Sequence, residues 1–157
     1  MPPRLDVVLA LTALALLFLA LAHQNRAATL SPQRASAELT PGVVNPDVTQ
    51  ATIRSTICKH GWTRTIRPPV TYTNSLKLKQ MREYGRAGGP VDYQEDHLIS
   101  LELGGHPTDP RNLWPEPYPR AAEMDGIEND LNQQVCSGKL TLAAAQRRES
   151  ALKRTAG

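Results

Sequence analysis

Two segments near the end of the chain place apolar residues on one face of a helix. In residues 120–138 the apolar positions recur at spacings of three, four and four, which is the period of an α-helix. Gly138 would end this helix, and Thr141 would cap a further helix over residues 141–154. The apolar positions of the first helix are Met124, Ile127, Leu131 and Val135.

Earlier segments predict shorter elements. An approximate apolar stripe over residues 45–61 predicts a helix that ends at Gly61, and residues 75–85 predict another helix with Ser75 as its cap. Between these two helices, residues 62–74 are rich in threonine, proline and aromatic residues. Such a composition favours extended chain with the character of an edge strand.

The middle of the chain combines strand alternation with turn residues. Residues 93–103 alternate apolar and polar side chains, as a strand or the arm of a bulged hairpin does. Gly104 and Gly105 follow as a turn, and the proline-rich residues 112–119 predict an irregular, strand-like loop. With the helix over 120–138, this order predicts a small unit of strand, turn, loop and helix.

The N-terminal residues differ in composition from the rest of the chain. Residues 7–22 form a run of 16 residues without a charge, which fits a secretory signal and is shorter than the ~20 residues that cross a bilayer. Ala20 and Ala22 supply the small residues of a cleavage site. Residues 1–22 therefore predict a signal peptide, with an uncleaved membrane anchor as the alternative because Asp6 weakens the positive start.

The composition also predicts the domain boundaries. Residues 23–45 lack periodicity and predict a flexible linker, so the folded unit is residues 46–150, a small α+β domain that is mostly helical, with a disordered tail over 151–157. Export places the chain in a secreted or periplasmic, oxidising compartment. The two cysteines, Cys58 and Cys136, therefore predict a disulfide, with two free buried thiols as the alternative.

The charges are unevenly distributed, although the net charge is only +3. Residues 51–91 contain eight basic residues and one acidic residue, whereas residues 92–130 contain ten acidic and two basic residues. A basic block beside an acidic block suits a protein that binds phosphates and also holds a cation. The alternative is that the two blocks mix on the folded surface.

The strongest chemical signal is the stretch EDHLISLELGG, residues 95–105. Asp96 and His97 precede the strand pattern and the glycine pair, and Asn112 follows His97 by 15 residues. Over residues 93–118 this pattern resembles the motif of the HNH, or ββα-metal, nucleases. The resemblance implies an HNH-like ββα core and a metal-dependent endonuclease that acts on DNA or RNA outside the cytoplasm.

The chemistry of these residue types agrees with that resemblance. A neutral imidazole can accept a proton from water near neutral pH, so His97 is the predicted general base. A divalent cation stabilises the charge on a leaving oxygen and prefers hard ligands, so Asp96 is a predicted metal ligand. Asn112 is predicted to brace the loop and to orient His97.

The family takes its final metal ligand from the helix that follows the asparagine. Position 121 is alanine, which cannot bind a metal, so Asp125 is the predicted second ligand, with Glu123 and Glu128 as nearby alternatives. Oxygen ligands of this kind suit Mg²⁺ or Mn²⁺ best, with Ca²⁺ and Zn²⁺ still open. No small-molecule cofactor is expected.

Basic residues supply candidate contacts to the nucleic acid. Arg64, Arg67 and Arg111 are predicted to bind phosphate, with an ordinary surface role as the alternative for each. A competing interpretation is a catalytically degenerate HNH-like binding or structural module at the cell envelope. It arises because the helix carries neither lysine nor histidine near position 125. Membrane association through residues 7–22 is a further possibility.

Overall fold

The computed structural model describes residues 33–155, which form a small α+β domain as predicted. Within this range there are four α-helices and a two-stranded sheet. The helices are α1 (Trp62–Ile66), α2 (Val70–Glu83), α3 (Arg120–Cys136) and α4 (Leu142–Arg154). The strands are β1 (Tyr93–His97) and β2 (Leu113–Pro117). None of the helices in residues 33–155 is long and apolar enough to span a bilayer.

The two strands and α3 form a consecutive ββα unit. Strands β1 and β2 are antiparallel, with Asp96 opposite Trp114 and His97 opposite Leu113. Leu113 and Trp114 are fully buried, so β2 forms the inner strand against the helices. The predicted helix over 120–138 is confirmed as α3, which follows β2 directly and packs on the sheet.

A glycine pair shapes the loop between β1 and β2. Gly104 has a φ of +75°, in the left-handed region that glycine adopts without steric cost. A Cβ atom on Gly105 would lie 1.7 Å from the carbonyl oxygen of Ile99, so a larger residue does not fit there. The turn predicted at this pair is confirmed.

Strand β1 is shorter than the alternation predicts. It ends at His97, and Leu101–Leu103 forms a 3₁₀ turn instead of a continued strand. The carbonyl of Ser100 accepts hydrogen bonds from the amides of Leu103 and Gly105, which closes the chain into a turn. The alternating apolar residues are still buried, since Leu101 and Leu103 both point into the core, but they do so from a turn and not from a strand.

Strand β2 lies in residues 112–119, so the strand-like character predicted there is confirmed and the predicted irregularity is wrong. Prolines remove backbone donors, but both strands of a two-stranded sheet are edge strands. Pro115 and Pro117 can therefore sit opposite Glu95 and Tyr93 without interrupting a second ladder.

The prediction of extended chain over residues 62–74 is also wrong. The segment contains α1 and the first turn of α2, separated at Pro68 and Pro69. Pro69 is the residue before the first helical position of α2, where a missing backbone donor has no cost. Helix α2 therefore starts five residues before the cap that was predicted at Ser75.

Residues 45–61 form a series of turns, so the helix predicted there is wrong. Threonine hydroxyls bind backbone carbonyls in this segment: Thr52 donates to Asp47 at 2.8 Å and Thr56 donates to Thr52 at 2.8 Å. Such bonds compete with helical ones. The predicted apolar stripe is nevertheless buried, as Ile53 and Ile57 show.

The fold extends beyond residues 46–150 at both ends, which corrects the predicted linker and tail. Over residues 33–45, Ala35 and Thr40 are buried. Residue 44 forms a β-bridge with Gly105. At the other end α4 continues to Arg154. Residues 1–32, which include the predicted signal or anchor, lie outside the described residues.

The predicted disulfide between Cys58 and Cys136 is confirmed. It joins the turn segment to the last residue of α3 across a sequence separation of 78 residues. The main apolar core lies beside this bridge, where Ile53 and Ile57 pack against Leu131 and Val135.

Candidate active site

A polar cleft of about 230 Å³ opens at the end of β1. Strand β1, the loop after it, α3 and the segment after α1 all contribute to its walls. The ionisable residues that line the cleft are Arg67, Asp96, His97, Glu102, Asp125 and Glu128. Asp96 and His97 both face this one cleft, because His97 is the last residue of β1 and the chain turns immediately after it.

The imidazole of His97 is held by the loop between the strands. Its Nε2 atom lies 3.0 Å from the carbonyl oxygen of Pro107. A carbonyl oxygen only accepts hydrogen bonds, so Nε2 carries the proton and the neutral ring has its lone pair on Nδ1. Burial lowers the pKa of His97, against the opposing effect of the Asp96 charge. His97 is thus set up as a neutral base.

Asn112 braces the same loop. Its side chain accepts from the amide of Ile99 at 3.1 Å and donates to the carbonyls of Ile99 at 3.0 Å and His106 at 3.1 Å. Pro107 follows His106 directly, and its carbonyl oxygen is the one that binds the His97 ring. Asn112 therefore orients His97 indirectly, and because it is fully buried it is a positioning residue and not one that contacts substrate.

Asp96 is bound on its inner side by a residue from α4. Its Oδ2 atom lies 2.6 Å from Nζ of Lys153, which is fully buried. Burial alone would raise the pKa of Asp96, but the Lys153 ammonium outweighs it and lowers the pKa to about 2. Asp96 is therefore a carboxylate at neutral pH, with one oxygen already engaged.

Carboxyl groups from several elements surround the ammonium of Lys153. Its Nζ donates at 2.6 Å to Glu128 and at 2.6 Å to the carbonyl oxygen of His97, in addition to Asp96. Two further carboxylates lie slightly farther away, Glu116 at 3.8 Å and Glu149 at 3.7 Å. Together with Asp96, these residues form what we call the Lys153 cluster.

The glutamates of the Lys153 cluster favour their neutral forms. Burial raises the pKa of Glu116 to about 9 and that of Glu128 to about 9, and in each the attraction of Lys153 only partly offsets it. Burial raises the pKa of Glu149 to about 7, where Lys153 and hydrogen bonds from the Ser100 amide oppose the effect. Asp96 is therefore the member of the cluster most strongly held in its ionised form.

Asp125 lies on the exposed face of α3 at the mouth of the cleft. Burial raises its pKa, and the negative charge of Asp96 raises it further. The structure thus places Asp96 and Asp125 in the walls of the same cleft. The residues from 33 to 155 contain no trio of His, Cys, Asp or Glu side chains arranged as metal ligands.

The three predicted phosphate-binding arginines occupy different surroundings. Arg67 lines the cleft and its charge acts on His97 and Asp125. Arg111 instead makes a bidentate ion pair with Asp109, with its Nη2 at 2.7 Å and its Nε at 3.0 Å from the carboxylate oxygens. Arg64 is exposed on α1 and is not part of the cleft wall.

Lys153 is not among the site residues predicted from the sequence, because it lies in the tail predicted to begin at residue 151. A signal was nevertheless present in the pattern of the last helix. Glu149 and Lys153 continue the spacing of the buried Leu142 and Ala145, so two charged residues occupy the apolar face of α4. Charges on such a face are paired when they are buried, which would have pointed to an internal ion cluster.

No protein-family model matches this chain, and no curated protein or solved structure matches it either.

Proposed function

We propose that this protein is a metal-dependent endonuclease that hydrolyses phosphodiester bonds in DNA or RNA outside the cytoplasm. The observation that carries the proposal is the His97 imidazole, fixed by the Pro107 carbonyl in a polar cleft beside acidic residues. The cleft sits on a ββα unit, as the resemblance to HNH nucleases implies. The disulfide supports an oxidising location.

His97 is the proposed general base. With Nε2 protonated against Pro107, the Nδ1 lone pair is available to take a proton from an attacking water molecule. A lowered pKa keeps the imidazole neutral at physiological pH, which is the form that can act as a base. Asn112 keeps the supporting loop in place.

The acidic character of the cleft gives a reason for a cation. Asp96, Glu102 and Asp125 face a single arginine, Arg67, so a phosphodiester would meet mostly like charge. Mg²⁺ and Mn²⁺ are commonly held by one or two carboxylates, with water and substrate phosphate as the other ligands. Asp96 and Asp125 fit that number and would hold the ion. A bound ion would supply Lewis-acid stabilisation of the leaving oxygen.

Arg67 is the proposed phosphate contact of this site. It is the arginine among the three candidates that lines the cleft with His97. A guanidinium binds phosphate oxygens through two donors and so fixes their orientation. Arg111 is occupied by Asp109 and is not part of this proposal.

Digestion of plasmid DNA and of RNA by the purified protein with Mg²⁺ or Mn²⁺ tests the proposal. We expect cleavage that falls by about 10²–10⁴-fold in His97→Ala, the contribution of a general base. His106→Ala is the matched control, because His106 lies in the same loop but binds the Thr108 and Asp109 amides. Cleavage that survives His97→Ala, or that no divalent ion supports, contradicts the proposal.

A second candidate is a degenerate HNH-like module that binds or organises partners at the cell envelope without catalysis. The observation that favours it is the ion pair of Asp96 with Lys153, which already neutralises the predicted metal ligand. Calorimetric titration with Mg²⁺ and Mn²⁺ separates the two candidates. A nuclease binds the ion and loses affinity in Asp125→Ala, whereas the degenerate module shows no Asp125-dependent binding.

A further inference from the structure

The Lys153 cluster has the composition of a cation-binding site that is occupied by the protein's own ammonium group. Each donor distance from Nζ to Asp96, to Glu128 and to the His97 carbonyl is 2.6 Å. An ammonium has three protons, so these three acceptors use its full donor capacity. The arrangement is a cation bound by the Asp96 carboxylate, the Glu128 carboxyl group and one backbone carbonyl.

The acceptors come from separate parts of the chain. β1 supplies Asp96 and the His97 carbonyl, and α3 supplies Glu128. Glu116 from β2 and Glu149 from α4 complete the surroundings at 3.8 and 3.7 Å. A single buried cation therefore ties the ββα unit to the last helix.

The cluster contains more carboxyl groups than the three protons of its one ammonium can bind. Four carboxyl groups surround one ammonium, and the side chain of Lys153 is fully buried. Oxygen atoms from carboxylates and a backbone carbonyl are also the ligand types that Ca²⁺ and Mg²⁺ prefer. The cluster thus contains the ligand types of a divalent site, but among residues 33–155 they are arranged around the lysine ammonium and not as a metal-ligand trio.

The ammonium of Lys153 is connected to the cleft through two shared residues. Asp96 and Glu128 bind the ammonium on their inner side, and both also line the cleft beside His97. The backbone of His97 is held by Lys153 through its carbonyl, while its ring is held by Pro107. Groups behind a site that fix its ligands in this way set their geometry.

We propose that the Lys153 ammonium is the resident cation of an internal cation site, in which it holds Asp96, Glu128 and the His97 backbone in position. Lys153 is then a positioning residue for the cleft. A divalent cation takes over the same site when the lysine is removed and space is left for the ion. This inference does not require that the cleft is a nuclease site.

Thermal unfolding of the Lys153→Ala protein tests the proposal. We expect a lower Tm than in the wild type, and a rise of at least about 4 °C when millimolar Ca²⁺, Mg²⁺ or Mn²⁺ is added at constant ionic strength. Lys153→Met removes the charge but fills most of the vacated space, so its Tm should not respond to the ion. Equal responses in the two variants overturn the proposal.

Lys77→Ala is the matched control for the loss of a lysine that binds backbone carbonyls. Lys77 donates to the carbonyls of Pro90 at 2.9 Å and Tyr93 at 3.0 Å, outside the Lys153 cluster. Its Tm should fall without any recovery in divalent ions. If Lys153→Ala is unfolded on its own, folding that a divalent ion restores supports the proposal, and failure of every ion to restore it overturns the proposal.

The NMR resonances of the His97 imidazole report the positioning role. We expect them to shift in Lys153→Ala and to return toward the wild-type values when the ion binds. Resonances that stay unchanged in Lys153→Ala overturn the positioning role. Because these readouts need no substrate, absence of nuclease activity would contradict the proposed function and leave this inference standing.

Discussion

At the residue scale, different surroundings hold two neighbours in the chain in their deprotonated forms, one charged and one neutral. Asp96 is held as a carboxylate because the Lys153 ammonium outweighs the effect of burial. His97 is held as a neutral ring because burial outweighs the attraction of Asp96, and the Pro107 carbonyl selects its tautomer. An acid that stays charged beside a base that stays neutral is the pairing that water activation needs.

The pH dependence of His97 follows from its lowered pKa. The unfolded chain binds a proton at about pH 6.5, whereas the folded protein binds it only at lower pH, so stability from this group is present above 6.5 and is lost as pH falls through the folded pKa. We expect the acidic limb of the kcat/KM profile below pH 6.5. Titration of the imidazole by NMR checks this, and a midpoint above 6.5 contradicts it.

Glu116 should make the protein less stable at alkaline pH. Its pKa is raised from 4.5 to about 9, so the folded protein keeps a proton that the unfolded chain loses, and stability falls as pH rises between these values. Glu116→Gln stays neutral throughout. We expect it to raise Tm by roughly 4 °C or more near pH 9 and to have less effect near pH 5.

The control for this prediction is Glu123→Gln, which changes an exposed glutamate of α3. Its effect on Tm should be small and should not grow with pH. A Glu116→Gln protein that is less stable than the wild type near pH 9 contradicts the prediction, since it would mean that Glu116 contributes as a charged partner of Lys153 or Arg120.

At the scale of elements, the sequence predicted the structure correctly where the residues of a single helix are enough to decide it. The apolar spacing of α3 and the cap at Thr141 predicted two helices, because each depends on local residues. The structure predicted from the sequence was wrong at residues 62–74 and partly wrong at residues 112–119. In both segments the local preferences of threonine and proline are weak compared with packing. Burial of β2 depends on distant residues, which no local pattern contains.

The residues of the candidate site also differ in how well the sequence predicts them. Asp96, His97 and Asn112 were found from their spacing, and the structure places the first two in one cleft and the third behind it. The spacing of α4 places Lys153 on its buried face but does not identify what it binds, because Asp96, the His97 carbonyl and Glu128 lie 25 to 57 residues away along the chain. Long-range charge pairing has no period in the sequence.

The disulfide is the element-scale feature with the largest expected effect on stability. It closes a long loop, with a separation of 78 residues, between the turn segment and the end of α3. We expect the Cys58→Ser/Cys136→Ser protein to lose roughly 4 to 5 kcal/mol of unfolding free energy in urea titrations. Reduced wild-type protein should behave in the same way. A loss below about 1 kcal/mol would show that the loop is already ordered in the unfolded chain.

At the scale of the whole molecule, the two ends of the described chain belong to the fold and meet each other. The amide of Ala35 donates to the carbonyl of Lys153 at 2.9 Å. Gly42 donates to the carbonyl of Arg111 at 3.0 Å, and His106 donates to the carbonyl at position 43 at 2.8 Å. Residues 33–45 therefore hold the loop that orients His97 from outside.

Deletions at the two ends should reveal these contacts. A protein that starts at residue 46 loses the backbone bonds to Lys153 and to the loop, and we expect a lower Tm than for one that starts at residue 33. A protein that ends at residue 150 leaves the Asp96 carboxylate without its buried cation, at a cost of about 3 to 5 kcal/mol. One that ends at residue 155 is the control and should match the full chain.

Circular dichroism and thermal unfolding of these shortened proteins check the prediction. The change at residue 150 should be the larger one, because it removes a fully buried charge, whereas the other removes backbone hydrogen bonds and small buried side chains such as those of Ala35 and Thr40. Two shortened proteins with the stability of the full chain would contradict the assignment of both ends to the fold.

Chain order also determines when the Lys153 cluster can form during synthesis. Synthesis proceeds from the N-terminus at about 5–20 residues per second, so every carboxylate of the cluster emerges before the ammonium that holds it. Until then the carbonyl of His97 lacks the ammonium that binds it in the folded protein. A chain halted before residue 153 therefore has the imidazole and its Pro107 partner but lacks the contact that ties the His97 backbone to the last helix.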